Sequence, residues 1–460
     1  MIEFESASRI HLVGIAGSGM SGIAQILIER GFQVSGSDAK DGEIMESLRK
    51  RGAQVFIGHR AEQVGDAKYV VISSAINEEN PELLEARRRG IEVLRRSSAL
   101  ARLLPGRRSI AIAGTHGKTT TSAMLAQTLH ALGRDPSYVI GSKILALGES
   151  AREGSGAEFI VEADESDGSF LDYQPNGAII TNVELDHVDN FTTVDQIIEL
   201  FSKFISTVTE FVVLCADDHI ASSLPVPDGI TRISYGTNGG SDLSLEDIRD
   251  EVDGVVAELM WHGEPIGTLR LNVRGRHNAL NAAAVVAAAM HWGLEPKVVL
   301  AGLQEFRGTA RRFEIKGEIA GITVIDDYGH HPTEILATVL AARTLLARRG
   351  KGRLALLFQP HRFSRTAAFL DEFAAALSQG DHTLLLDIYS AGELPIEGVS
   401  SAAIAARAEN CTYFADSRQA IADLTEWAES GDVILTLGAG DVTQLGPVIL
   451  ASLAQRRDGS

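Results

Sequence analysis

A β-strand that empties into a glycine turn and then opens a helix leaves few folds available, and this chain carries two such units. The first is HLVGIAGSGMSGIA, His11–Ala24; the second is IAIAGTHGKTTTSAML, Ile110–Leu125. Glycines let the backbone pass close to a ligand, and the helix that follows offers unpaired N–H groups and the positive end of its dipole. Such units belong to parallel sheets with crossover helices, whose ligands sit beyond the carboxyl ends of the strands. The remaining chain keeps the same alternation. FQVSGSD, YVVISSAI, GAIITNV and FVVLCADD are strand-like, and helical spacing with glycine stops recurs between strand-like runs. The expected class is α/β with Rossmann-like and phosphate-loop-type sheets. The stretch from Ser234 to Val273 breaks the rhythm and predicts a hairpin-like β insert.

At roughly 100 to 200 residues per domain, a chain of 460 residues holds about three. Breaks at LLPGRRS, Leu103–Ser109, and at FRGTARRFEIKG, Phe306–Gly317, divide it into 1–105, 106–310 and 311–460. Sixty-one acidic against 42 basic residues give a net charge of −19, so nucleic acid and anionic membranes are poor partners. No apolar run is long enough to cross a bilayer, and the first residues lack the pattern of a signal peptide. Two cysteines, Cys215 and Cys411, make no disulfide framework, so a reducing cytoplasm is the expected location.

Gly17, Gly19 and Gly22 spell G-x-G-x-x-G, and the next strand ends in Asp38, about where a ribose-binding carboxylate belongs. The pattern selects a diphosphate flanked by a sugar. NAD and a UDP-sugar both satisfy it, and a tight turn without a ligand is the plainer alternative. The second turn is shorter than a full phosphate loop, because Ile112 stands where that pattern has its first glycine. Its essentials remain: Gly114 and Gly117 for backbone wrapping, Lys118 for the β and γ phosphates, and a Thr119 or Thr120 hydroxyl for Mg²⁺. FIVEADESDGSF then brings Glu162, Asp164, Glu165 and Asp167 to a strand end. IITNVELDHVDNF brings Asn182, Asp186 and His187 to another. Oxygen donors suit Mg²⁺, whereas His187 is a softer ligand than that ion prefers.

In order along the whole chain, GTHGKTTT, EADESD, TNVELDH, GRHNALNA, RRFEIKG, DDYGHHPTE and FQPHRFSRT resemble the Mur ligase family, the ATP-dependent enzymes of peptidoglycan precursor synthesis. The resemblance implies three domains: a Rossmann-like N-terminal domain for UDP, a central ATP-binding domain, and a Rossmann-like C-terminal domain for the incoming amino acid. GIAGSGMSGIA together with DDYGHHPTE, QPHRFSRT and IYSAGE is similar to the members that join L-alanine to the carboxylate of UDP-N-acetylmuramate through an acyl phosphate. By motif position, the implied ATP-binding set is Gly114, Thr115, His116, Gly117, Lys118, Thr119, Thr120, Asn278, Asn281, Arg312, Asp327 and Tyr328. Mg²⁺ falls to Thr119, Glu162 and His187, with Glu165 a rival to Glu162. Gly17, Ser18, Gly19, Met20, Asp38, Ser73, Ser74 and His361 are implied for substrate, and Lys118, His330, Arg362 and Arg365 for the chemistry. Arg362 or Arg365 is the kind of group that clamps a carboxylate. Some members hold the second metal with a carbamylated lysine; Lys203 is expected instead to be a helix-surface residue. The group that deprotonates the amine and the oligomeric state stay open.

Overall fold

The computed structural model describes residues 3–73, 75–187, 190–251 and 254–458, without the side chains of Ser18, Arg457 and Asp458. Among these residues the strands form three sheets, of five, ten and six strands. The first is wholly parallel. Its order is Gln54–Ile57, Gln33–Asp38, Arg9–Val13, Tyr69–Ile72 and Glu92–Arg95. The chain leaves the central strand Arg9–Val13 through the first glycine turn into the helix Ser18–Glu29, so that turn lies at the sheet's carboxyl edge, where the strand order switches direction.

The second sheet centres on Arg108–Ala113, flanked by Glu158–Glu162 and Gly177–Ile180, with Phe211–Cys215 and Thr231–Gly236 beyond. The four inner strands are buried almost throughout because both faces are covered, whereas Thr231–Gly236 begins exposed at Thr231 and Arg232. The expected β insert is present: Leu243–Glu251, Gly254–Trp261 and Glu264–Leu271 pair antiparallel. They do not form a separate unit, however. Leu243–Glu251 pairs parallel with Thr231–Gly236, so the insert lengthens the main sheet, and Arg276–His291 packs across it. That helix is buried on nearly every side from Asn278 to Ala289, which its run of alanines permits.

The third sheet runs Glu314–Ile319, Ile322–Asp327, Val433–Leu437, Leu354–Phe358, His382–Leu385 and Cys411–Tyr413, with only its first strand antiparallel. Its two faces bury separate apolar clusters. By contrast, one apolar cluster runs continuously from Ile10 and Met20 through Val139 and Ala151 to Phe201, joining the first lobe to the second. Gly22 sits in that seam; a Cβ there would stand 3.1 Å from the Ala151 Cβ and 3.2 Å from the Val139 Cγ1.

Candidate active site

The second glycine turn is fastened by the strand beside it. Asn182 takes the Thr115 N–H on its backbone oxygen (3.0 Å) and the His116 N–H on its Oδ1 (2.8 Å), while the Thr181 hydroxyl donates to the His116 carbonyl (2.6 Å). Gly114 has φ +132° and Gly117 φ +85°, and space is as restrictive as torsion. A Cβ on Gly114 would fall 2.1 Å from Thr181 Oγ1, and one on Gly117 would fall 2.8 Å from Asn281 Oδ1. The helix Lys118–Ala131 starts at once, so its open N–H groups face the carboxyl edge of the sheet.

Lys118 Nζ donates to the carbonyls of Gly114 (2.5 Å) and Thr115 (3.0 Å) and pairs with Glu165 at 2.9–3.0 Å. Burial opposes its charge, but the carboxylates of Glu165, Asp164 and Glu162 outweigh that and hold the ammonium above the usual lysine value. Thr119 donates instead to Glu162 Oε1 (2.8 Å), whose other oxygen accepts the Gly141 N–H (2.7 Å). The two rival acids are thereby separated: Glu162 shares a hard oxygen pair with Thr119, and Glu165 lies between Lys118 and His187. His187 Nε2 is 3.6 Å from Glu165 and 3.8 Å from Asp186. Lys203, as expected, is an exposed helix residue paired with Glu199 (2.7 Å).

The first turn is plainer. Gly17 begins the helix without a side-chain cap, and Asp38 Oδ2 accepts the Ala16 N–H (3.0 Å), so the carboxylate braces the turn as well as facing the edge. Ser73 Oγ lies 3.1 Å from where a Cβ on Gly14 would be. Met20 is 1% exposed, so its side chain belongs to the core and only its N–H can meet a ligand. Ser74 and the Ser18 side chain lie outside the described residues. A residue that motif reasoning missed covers this turn: Arg96 lies over Gly19, its Nη1 2.8 Å from a Cβ placed there, and reaches to 3.9 Å from Asp164 of the middle lobe. The doubled arginine in VLRRSS at a strand end was its one visible signal.

The third lobe adds a polar cluster organised by Glu334, also missed as an individual residue. Glu334 is at the third position of the helix Pro332–Arg349; its carboxylate accepts the His330 N–H (3.0 Å) and the His331 N–H (3.4 Å), the second of these completing a capping box with His331. The same side chain takes His116 Nδ1 (3.1 Å) from the phosphate loop and stands 3.5 Å from Arg312. Burial pushes against the Glu334 charge, yet His330, His116 and Arg312 keep the carboxyl well below the ordinary range. His116 mirrors this. Burial alone lowers it, and the carboxylates of Glu184 and Glu334 more than reverse that, to about 9. Asp327 accepts the Phe313 and Gly329 N–H groups (both 2.7 Å); burial raises it to about 6 against the pull of Arg312. Tyr328 lies under Arg311 and Arg312, 4.8 and 5.0 Å from its ring centre.

His330, pushed down to about 3 by burial, faces His361 at 5.9 Å between rings. His361 stacks on Tyr389, is held near 4 by burial and the nearby arginines, and has a buried Nδ1 without a partner. Arg362 lies 3.9 Å from Glu393. Arg365, one of the two arginines offered as a carboxylate clamp, holds a carboxylate of the protein itself. It is 4% exposed, and its Nε and Nη2 both hold Asp186 Oδ1 (3.0 and 2.9 Å), tying the third lobe to the strand end that carries His187.

Two cavities result, of about 800 and 490 Å³, and they share Gly117, Arg312 and Glu334 as a common wall. The larger lies over Asn278, Asn281, Phe306 and Asp327; both asparagines are buried, with Asn281 against Gly117. Residues of all three lobes line the smaller: Gly19 and Arg96, then Lys118, Glu162 and His187, then His330. The site thus provides a cleft of mixed apolar and polar lining that adjoins a half-open chamber lined by one lysine, hard oxygen donors and a neutral histidine. That suits handling of a triphosphate at one end and a second anion at the other.

Comparison with known proteins agrees with this architecture. Residues 9–108 match the model described as Mur ligase family, catalytic domain, residues 112–289 the Mur ligase middle domain, and residues 311–440 the Mur ligase, glutamate ligase domain. A protein of Thermobifida fusca named UDP-N-acetylmuramate--L-alanine ligase is 46% identical, with 98% of each chain covered. The solved UDP-N-acetylmuramate-alanine ligase of Thermotoga maritima superposes with a TM-score of 0.81 at 29% identity, over 98% of this chain and 99% of that one. A murein peptide ligase of Psychrobacter arcticus shares the fold, with a TM-score of 0.71 at 24% identity over 97% and 99% of the two chains.

Proposed function

The chain belongs to the Mur ligase family, and from that premise we propose that it joins L-alanine to the carboxylate of UDP-N-acetylmuramate at the expense of ATP, in peptidoglycan precursor synthesis in the cytoplasm. The observation that carries this reading is the 490 Å³ chamber, where the first turn, Lys118 and His330 come together from three lobes. Segments 1–105, 106–310 and 311–460 would bind the UDP moiety, ATP and alanine respectively.

A carboxylate does not acylate an amine in water because oxide cannot leave. Phosphorylation at the sugar acid makes phosphate the leaving group; the amine then attacks and the tetrahedral adduct collapses to the amide. Everything the protein must do is gather anions and hold them in line. Asn278 and Asn281 line the cavity for the adenine, and Tyr328 under its two arginines borders the adjoining chamber. Loop N–H groups from Gly114 to Thr120 wrap the phosphates, and Lys118 moves from its carbonyl and Glu165 contacts to the transferring group. The donor chemistry fits Mg²⁺: Thr119 and Glu162 form a hard oxygen pair, and His187 beside Glu165 forms a second locus. When bound there, Mg²⁺ neutralises phosphate charge as it shifts toward the leaving oxygen. The first helix N-terminus and Arg96 hold the substrate diphosphate, while His361 and Arg362 receive the amino acid.

The test is phosphate release by the full chain with ATP, Mg²⁺, UDP-N-acetylmuramate and a panel of amines. Release that requires the sugar nucleotide and favours alanine is expected. Release only with a preformed muropeptide in place of alanine, or none with any amine, would overturn the assignment.

A further inference from the structure

Three side-chain donors that no step above uses meet where the second and third lobes touch. His116 Nε2 is 3.4 Å from Glu184 Oε2, and one ligand atom from each of His116, Glu184 and His331 lies within 4.8 Å of the other two. Both imidazole Nε2 atoms are buried; His116 Nε2 has only the long Glu184 contact, and His331 Nε2, on a residue 4% exposed, has no hydrogen-bond partner. Buried polar atoms without partners are uncommon because each forfeits the hydrogen bond it had in water. Here one such atom, His331 Nε2, shares a corner with a loosely held imidazole nitrogen and a carboxylate.

The surroundings have the character of a metal's outer shell. His116 Nδ1 is bonded to Glu334 Oε1 (3.1 Å); with the proton on Nδ1, the Nε2 lone pair is left for an ion. The Thr333 hydroxyl donates to Glu184 Oε2 (3.0 Å), orienting that carboxylate. Bonds of about 2.0–2.1 Å place the ligands of a tetrahedral zinc roughly 3.4 Å apart. The His116–Glu184 edge already has that length, so His331 alone must move in, by no more than about 1.4 Å on the same geometry.

We propose that His116, Glu184 and His331 form a binding site for a divalent transition ion of the zinc type, bridging the second and third lobes. Two imidazoles and one carboxylate select such an ion over Mg²⁺, which prefers the all-oxygen Thr119–Glu162 pair. Coordination has two local consequences. His331 Nδ1 takes up a proton and gives up its long bond from the Thr333 N–H (3.4 Å), and His116 loses the proton that Glu184 and Glu334 hold on it. The ion cross-links two lobes that must part for nucleotide exchange, so occupancy arrests turnover. Binding stands independently of the reaction proposed above; only the arrest rests on it.

The test is titration of the full chain with Co²⁺ in excess Mg²⁺, followed by visible absorption. One Co²⁺ per chain is expected, with the intense bands of a four-coordinate site. Binding should weaken more than tenfold in Glu184→Gln and in His331→Asn, the latter keeping a good helix cap. X-ray absorption on the zinc-loaded wild type, which depends on no variant, should show two imidazoles in the first shell. Weak six-coordinate bands, oxygen-only neighbours around zinc, or bands that persist in both variants and vanish in His187→Ala would overturn the site. Zinc binding without loss of turnover would leave the site standing and refute the clamp.

Discussion

The two glycine turns are built to the same plan and are charged in opposite ways. Around the first, the helix Ser18–Glu29 opens on a turn without charged side chains, and the cation over it, Arg96, comes from another element. Around the second, Lys118, Glu162, Asp164, Glu165 and His187 crowd one strand edge, and the third lobe adds Glu334. The first turn is also welded to its neighbour lobe by apolar packing, whereas the second is docked through buried polar pairs such as Arg365–Asp186. A turn that only holds a diphosphate needs shape and a dipole. One that must pass a phosphoryl group needs charges poised against each other, and a contact that can open.

That contrast can be broken at several points. Lys118→Ala should lower turnover by about 10³-fold or more while leaving the dissociation constant for the sugar nucleotide within about twofold, since no direct contact is lost there; phosphate release and calorimetry check the two halves. Equal loss of both would mean the turns do not divide the work. Asp186→Asn strips the partner from a buried arginine, a change worth about 3–5 kcal/mol, and should appear as a lower Tm and as loss of protection of the third lobe in hydrogen exchange.

A pH series probes the same docking. His116 is raised in the folded protein to about 9, so its contribution is fully present below about pH 6.5 and is lost as pH rises through about 9. The full difference is on the order of 3 kcal/mol. Tm should therefore fall across that window, and Glu334→Gln should flatten the slope. The smallest effect belongs to the first turn. Gly19→Ala pushes a Cβ against Arg96 and should raise KM for the sugar nucleotide about tenfold, the loss of one charge-assisted contact, with kcat nearly unchanged.

The sequence made both turns legible because each is a local event: strand, glycines and helix start lie within fifteen residues or so of one another. The acids at the strand ends were legible for the same reason, and the motif order along the chain identified the family. What stayed hidden is what forms between lobes. Nothing local says that Glu334 will reach His116, 218 residues away, or that Arg365 will turn from an open clamp to Asp186, 179 residues away. The choice of Glu162 over Glu165 stayed open in the sequence on similar grounds, since both acids sit at one strand end and only the fold shows that Glu162 faces Thr119. The β insert was visible as strands, but its parallel pairing with Thr231–Gly236 was not, because register across a long connection leaves no sequence trace.

The shared wall of Gly117, Arg312 and Glu334 has a pharmacological side. A single small molecule long enough to thread past it would occupy the larger cleft and the reaction chamber together. Its contacts there would be to a glycine with no room for a Cβ and to an arginine–glutamate pair whose carboxylate also holds His116 of the neighbouring lobe. Resistance by substitution there would come at the expense of the enzyme itself, which makes the shared wall a better anchor for an antibacterial compound than either compartment alone.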